Sequence, residues 1–260
     1  MSRYVKEGFE DLKNKILFII CIPLFVDILG LILYGKIFNE KFERSINLIN
    51  LKLGVIGVPP SASYLIDGFT SELGIYLSTT LNIEFLLTYL IFILIMTFII
   101  SGYGSLLVNS QNASIKMFFR DGFKNWNKFF VVYCPNYIFA ILYMIESPYK
   151  WLALVVSFIY NIVIFYIVPV LIIDYEDIAK SYSKSFRMLI NNLSKTIGLL
   201  FEMSICFLVL NIPVSILVNS FGYIGVYISI IPIITLGVIS NKSFIKLYEL
   251  HKGDINDNET

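Results

Sequence analysis

At 260 residues, with 57% apolar and 15% charged side chains and a mean hydropathy of +0.76, the chain lies outside the composition range of a water-soluble domain. A net charge of +1, with basic residues confined to short local ridges, argues against nucleic acid as a partner. Cys21, Cys134 and Cys206 are scattered through apolar runs and His251 is the single histidine, so no disulfide framework, metal site, cofactor or acid/base centre is expected.

In chain order, Val5, Phe9, Leu12 and Ile16 recur at helical spacing with Lys6, Glu10 and Lys13 opposite, which predicts a short amphipathic helix. Residues 16–34 form the first hydrophobic span, long enough for the ~20 residues that a bilayer asks of a helix. The acidic Glu7, Glu10 and Asp11 ahead of it, its length and the lack of a small-residue cleavage site separate it from a cleaved signal peptide. Residues 35–84 are the largest polar interruption. Beyond Pro59 and Pro60, Leu65, Ile66, Phe69, Leu73, Tyr76 and Leu77 share a helical face and predict a surface helix.

Further spans are expected at residues 85–108, 129–145, 151–173, 197–218 and 221–239, followed by a polar, disordered tail at 253–260. This gives an all-α, polytopic membrane protein with six transmembrane helices in a single integral membrane domain, residues 1–252. Between spans two and three, and again between spans four and five, the chain carries the same stretch. Residues 114–128 align without a gap on residues 181–195, pairing Ser114 with Ser181, Phe119 with Phe186, Arg120 with Arg187, Asn125 with Asn192 and Lys128 with Lys195. On a helical wheel the first copy sets Ile115, Phe118, Phe119, Gly122, Phe123 and Trp126 against a ridge of Lys116, Arg120, Lys124 and Lys128. The second sets Ile178, Tyr182, Phe186, Leu189, Ile190 and Leu193 against Lys180, Lys184, Arg187 and Lys195. Apolar arc against basic ridge is the pattern of a helix lying in a membrane surface. Each copy is therefore expected as a separate helix roughly perpendicular to the spans, with Trp126 and Leu193 turned inward and Lys124 and Arg187 outward.

Placing the N-terminus in the cytoplasm puts fifteen of the twenty Lys and Arg residues inside, so the positive-inside rule predicts that both termini are cytoplasmic. The basic ridges then share one face of the membrane, where they suit anionic lipid or another membrane protein.

Polar groups inside the spans are the remaining candidates. Asp27 and Glu202 are intramembrane carboxylates, costly in hydrocarbon and open to a proton or cation relay or to a packing hydrogen bond. No second carboxylate stands at repeat-related spacing, which favours packing. Asn136, Asn161 and Asn211 read as interhelical hydrogen bonds in preference to a polar pathway. Prolines at 23, 135, 169, 213 and 232 fall in five of the six spans; they can break helices around a substrate site, and they are also tolerated in ordinary membrane helices. No phosphate-binding loop, metalloprotease or serine-hydrolase motif is present, so the chain is not expected to be an enzyme.

The layout of spans and surface helices, with Lys180-Ser-Tyr-Ser-Lys-Ser-Phe-Arg after the fourth span, resembles a loose group of uncharacterised prokaryotic multi-span membrane families. It is similar in particular to the membrane domain that precedes some glycerophosphoryl diester phosphodiesterases, over roughly residues 85–246. The resemblance implies a membrane domain, without the catalytic barrel and its acidic and histidine residues, so neither hydrolase activity nor any site residue is carried over. The expected role is to bind or organise a membrane partner or anionic lipid through cytoplasmic surface helices; the alternative is a small transporter or permease subunit.

Overall fold

The computed structural model describes residues 2–38, 59–60, 83–144 and 150–253. The surface helix expected at residues 65–77 and most of the polar tail lie outside them. All regular structure among the described residues is helical: α1 (Arg3–Leu12), α2 (Ile16–Phe38), α3 (Ile83–Val108), a 3₁₀ turn (Ser110–Asn112), α4 (Ile115–Met144), α5 (Lys150–Val163), α6 (Ile167–Asp174), α7 (Ile178–Asn191), α8 (Leu193–Phe221) and α9 (Tyr223–His251). Three helices are long and apolar enough to cross a membrane, within α3, α8 and α9, and a fourth crossing results if α5 and α6 form one bent span. Such helices fit a membrane protein. The side chains agree: Ile197, Phe201, Val209, Ile212 and Ile216 along α8, and Trp151, Leu152, Phe158 and Ile159 along α5, are each more than half exposed. An apolar surface of that extent is not one that water covers cheaply.

Two of the expected boundaries are corrected. Residues 114–128 do not form a helix separate from the third span, because α4 runs unbroken from Ile115 to Met144. Between Ala113 and Pro135 the sequence holds no proline, and one glycine costs a helix only ~1 kcal/mol, so nothing forces a break at 128. The fourth span, expected as one helix over residues 151–173, is broken instead, with α5 and α6 bent by 49°. Pro169 explains it: lacking an N–H, and with its ring against the carbonyl four residues earlier, it cannot extend α5 through Phe165.

The chain packs as two compact units. The first comprises Met1–Phe69, Asn109–Ala113 and Ser194–Leu247. Here α1 buries Val5, Gly8 and Leu12, and its Gly8 lies so close to α9 that a Cβ would stand 3.1 Å from the Ser243 hydroxyl. Helices α8 and α9 are joined by a tight turn at Gly222, whose φ of +56° is left-handed, and Gly225 meets the Leu217 carbonyl at a distance that leaves no room for a side chain.

The second unit comprises Thr70–Val108, Ser114–Leu193 and Tyr248–Thr260. Helices α3 and α4 pack through glycine: a Cβ on Gly102 would lie 2.7 Å from the Phe118 ring, and one on Gly122 would lie 3.0 Å from Phe98. The Ser101 hydroxyl donates to the Gly122 carbonyl at 3.2 Å, and the Trp126 indole donates to the Leu94 carbonyl at 2.9 Å. Phe98 is ringed by Phe118, Phe119, Phe123 and Trp126, with its nearest ring centroid 4.7 Å away.

Candidate functional site on the amphipathic stretches

Each stretch divides its circumference into three strips, not two. In the first, Phe118, Gly122 and Asn125 are buried, continuing to Phe129 and Val132 along the same face of α4. In the second, the residues 67 positions later, Ser185, Leu189, Asn192, Thr196 and Leu199, are buried as well. Beside that packed strip runs an apolar strip left open: Ile115, Phe119 and Phe123 are 64%, 48% and 63% exposed, and Phe186 and Ile190 are 41% and 51% exposed. The third strip is polar and basic. Lys116, Arg120, Lys124, Lys180, Arg187 and Lys195 are exposed, as expected, and Trp126 is turned inward. Leu193 is not: it opens α8 and is 44% exposed, because α7 ends at Asn191 and the buried position is taken by Asn192.

The packed strip of the second copy has a specific task. Where the Pro169 break removes helical hydrogen bonds between α5 and α6, the Ser185 hydroxyl donates to the Val163 carbonyl at 2.8 Å and accepts from the Tyr166 N–H at 3.0 Å. Next to it the Tyr160 and Tyr182 hydroxyls pair at 2.6 Å.

The basic ridges converge on the three residues that end α6. Val170–Asp174 winds as a π-helix, and Tyr175 turns the chain with a left-handed φ of +54°. The Asp174 carboxylate accepts from Lys184 Nζ at 2.8 Å and from the Tyr248 hydroxyl, with Lys252 Nζ at 4.0 Å; Glu176 lies 3.9 Å from Lys184. From the first copy, Lys128 donates to the Glu176 and Tyr175 carbonyls at 3.0 and 3.4 Å, and Lys124 Nζ stands 4.6 Å above the Tyr175 ring. Lysines on the open carbonyls past a helix C-terminus satisfy both the hydrogen bonds and the dipole. Arg120 instead chelates its neighbour Asp121 at 2.6 and 3.1 Å.

In the first unit a second cluster forms around Asp11, which lies 2.8 Å from Lys246 and 3.5 Å from the buried Lys242, and accepts from the Gln111 amide at 3.5 Å. Burial pushes the Asp11 pKa up, but the hydrogen bond from Lys246 and the charges of Lys242 and Lys246 outweigh it and hold the carboxyl below its ordinary value.

Of the intramembrane candidates, Asp27 is buried in α2, on the face of Ile19, Ile20 and Pro23. Glu202, in α8, accepts a hydrogen bond from the Ser2 backbone N–H at 2.7 Å and so caps the start of α1. Asn161 pairs with Asn136 through reciprocal amide bonds of 3.1 and 3.3 Å, the interhelical glue expected of it. Asn211 is half-buried in α8. Asp174, Tyr175, Glu176, Tyr248 and Lys252 are the residues that sequence reasoning missed. The available signal was the run Asp174-Tyr175-Glu176-Asp177 at the end of an apolar stretch, in a chain with two ridges rich in lysine. Among the described residues no group of histidine, cysteine, aspartate and glutamate could hold a metal ion. No family of known proteins, no curated protein and no solved structure matches this chain.

Proposed function

We propose that the chain is a six-span protein of the cytoplasmic membrane, with both termini cytoplasmic, that binds or organises anionic lipid or a membrane partner through its amphipathic stretches. The two spans beyond those long enough by composition are α2, with 23 residues, and α4, whose first stretch runs unbroken into its apolar second half, so that on this reading α4 enters the membrane obliquely. One observation carries the reading: in both copies an uncovered apolar strip lies between a packed strip and a basic ridge, at the same register. Such a helix has packed one side on its own protein and kept the other for an environment that is apolar below and anionic above, which is the membrane surface. The burial pattern that repeats at 67 residues supports an internal repeat, as do the shared residue identities. Lys242 and Lys246 lie against Asp11 of the N-terminal helix, and Lys128, Lys184 and Lys252 gather on one turn; each grouping fits segments lying on one membrane face. No catalytic role is part of this reading, and its kinship with the membrane domain found before glycerophosphoryl diester phosphodiesterases rests on the layout of sequence alone.

The alternative, a small transporter or permease subunit, draws on the buried Asp27. Purification in mild detergent, followed by identification of retained lipids and proteins, separates the two. Retention that falls when Lys116, Arg120, Lys180 and Arg187 are all replaced by Glu supports the surface reading; retention unchanged by those replacements contradicts it.

A further inference from the structure

The two copies share a register but not a charge state. In the second, Lys184 is only 16% exposed at its side chain and is taken up by Asp174 and Glu176. Its open apolar strip is made of Phe186, Ile190 and Leu193, at 41%, 51% and 44% exposure. In the first, the one carboxylate, Asp121, is taken up by Arg120, and Lys128 is spent on backbone carbonyls. That leaves Lys116 and Lys124 exposed and, among the described residues, without a carboxylate within ion-pair distance. They stand eight residues apart, ~12 Å along the helix axis, so they would serve neighbouring headgroups and not a single one. Alongside them run the three large open side chains Ile115, Phe119 and Phe123.

We infer that this first stretch is the site at which the protein takes anionic phospholipid: Ile115, Phe119 and Phe123 enter the acyl boundary, while Lys116 and Lys124 each hold a headgroup phosphate. The inference deepens the membrane-surface reading and rests on it. A bilayer leaflet offers an apolar layer and an anionic layer in the order that these strips present them; free phosphate would leave the apolar strip uncovered, and an acidic protein segment would give it nothing apolar to meet. Tyr175 is the positioning residue. Its left-handed backbone and half-exposed ring hold Lys124 at 4.6 Å, and a tyrosine at headgroup level is itself at home there. In the second copy Lys184 is neutralised and Ser185 plugs the broken helix, so part of that stretch braces the protein, whereas Lys116 and Lys124 of the first are both left exposed.

The test uses the full chain in nanodiscs of phosphatidylcholine with a minor share of phosphatidylglycerol, extracted into mild detergent and weighed by native mass spectrometry. Wild-type protein is expected to retain phosphatidylglycerol over phosphatidylcholine. The double variant Lys116→Ala, Lys124→Ala should lose about thirtyfold of that preference, at ~1 kcal/mol for each of the two charges near an anionic surface. Replacing both lysines by Arg should restore it, and Lys180→Ala with Arg187→Ala should change it less than about twofold. Both lysines are exposed, so unfolding temperature serves as the control for folding. A preference that survives in the Lys116/Lys124 variant, or one lost instead in the Lys180/Arg187 variant, overturns the assignment while leaving the surface reading in place. Absence of any phosphatidylglycerol preference in the wild type overturns both.

Discussion

Asp11 shows how much of this molecule depends on single charges meeting over long separations in sequence. The neighbours that hold its pKa below the ordinary value also fix the sign of its pH dependence. A carboxyl with a lowered folded pKa adds stability that is fully present above the ordinary value of 3.8 and is lost as pH falls through the folded value. Asp11→Asn should therefore lower stability at neutral pH by about 1–3 kcal/mol, and the gap to wild type should close as the pH falls below 3.8, read by thermal unfolding in detergent. A gap that stays constant on acidification contradicts the pairing. Asp27 calls for a different comparison because it is buried within an apolar helix. Asp27→Asn keeps hydrogen-bonding capacity and should be tolerated, whereas Asp27→Leu should cost about 1–3 kcal/mol by leaving its surroundings unsatisfied. Equal stability of the two variants, in the same unfolding assay, would count against a buried polar contact. The burial of Asp27 was legible, since a carboxylate facing lipid finds no partner. The pairing of Asp11 was not, because Lys242 and Lys246 look like any two charges placed after a span.

At the scale of elements, periodicity located the faces and failed at the ends. The arcs around Phe118 and Phe119 were visible as one apolar side, but burial splits them, with Phe118 packed at 7% exposure and Phe119 open at 48%. A wheel cannot separate apolar contact with protein from apolar contact with lipid, since both ask for the same residues. Helix boundaries are hidden for a related reason: hydropathy changes at Phe129 while the backbone of α4 continues, so a hydropathy boundary does not mark the end of an element. The break before Pro169 was signalled by the proline itself, yet Pro23, Pro135, Pro213 and Pro232 lie inside continuous helices, so the residue type alone did not choose among them. What marks the break is Ser185, supplied by another helix to fill the missing bonds. Ser185→Ala should leave the Val163 carbonyl and the Tyr166 N–H without that hydroxyl and destabilise the protein by about 1–3 kcal/mol, while Ser183→Ala, on the exposed side of the same helix, should change stability little. Thermal unfolding of the two variants side by side decides the point, and equal losses would contradict the plug.

For the molecule as a whole, composition pointed to a membrane protein, and the three long apolar helices fit one. Charge counting predicts an orientation, and the ion pairs at Asp174 and Asp11 were not legible from it, since their partners lie far apart in the sequence. The division into two packed units was not legible, since each is assembled from segments far apart in the sequence. On the proposed membrane-surface reading, the open strips of both copies face lipid and their basic ridges face the headgroup layer and water. Nitroxide labels placed one at a time at Phe119, Arg120, Phe186 and Arg187 of the protein in a bilayer test it most directly, by comparing accessibility to oxygen, which concentrates in lipid, with accessibility to a water-soluble paramagnetic chelate. Labels at Phe119 and Phe186 should be oxygen-favoured and labels at Arg120 and Arg187 chelate-favoured; chelate accessibility at Phe119 and Phe186 as high as at the two arginine positions would contradict the membrane-surface reading.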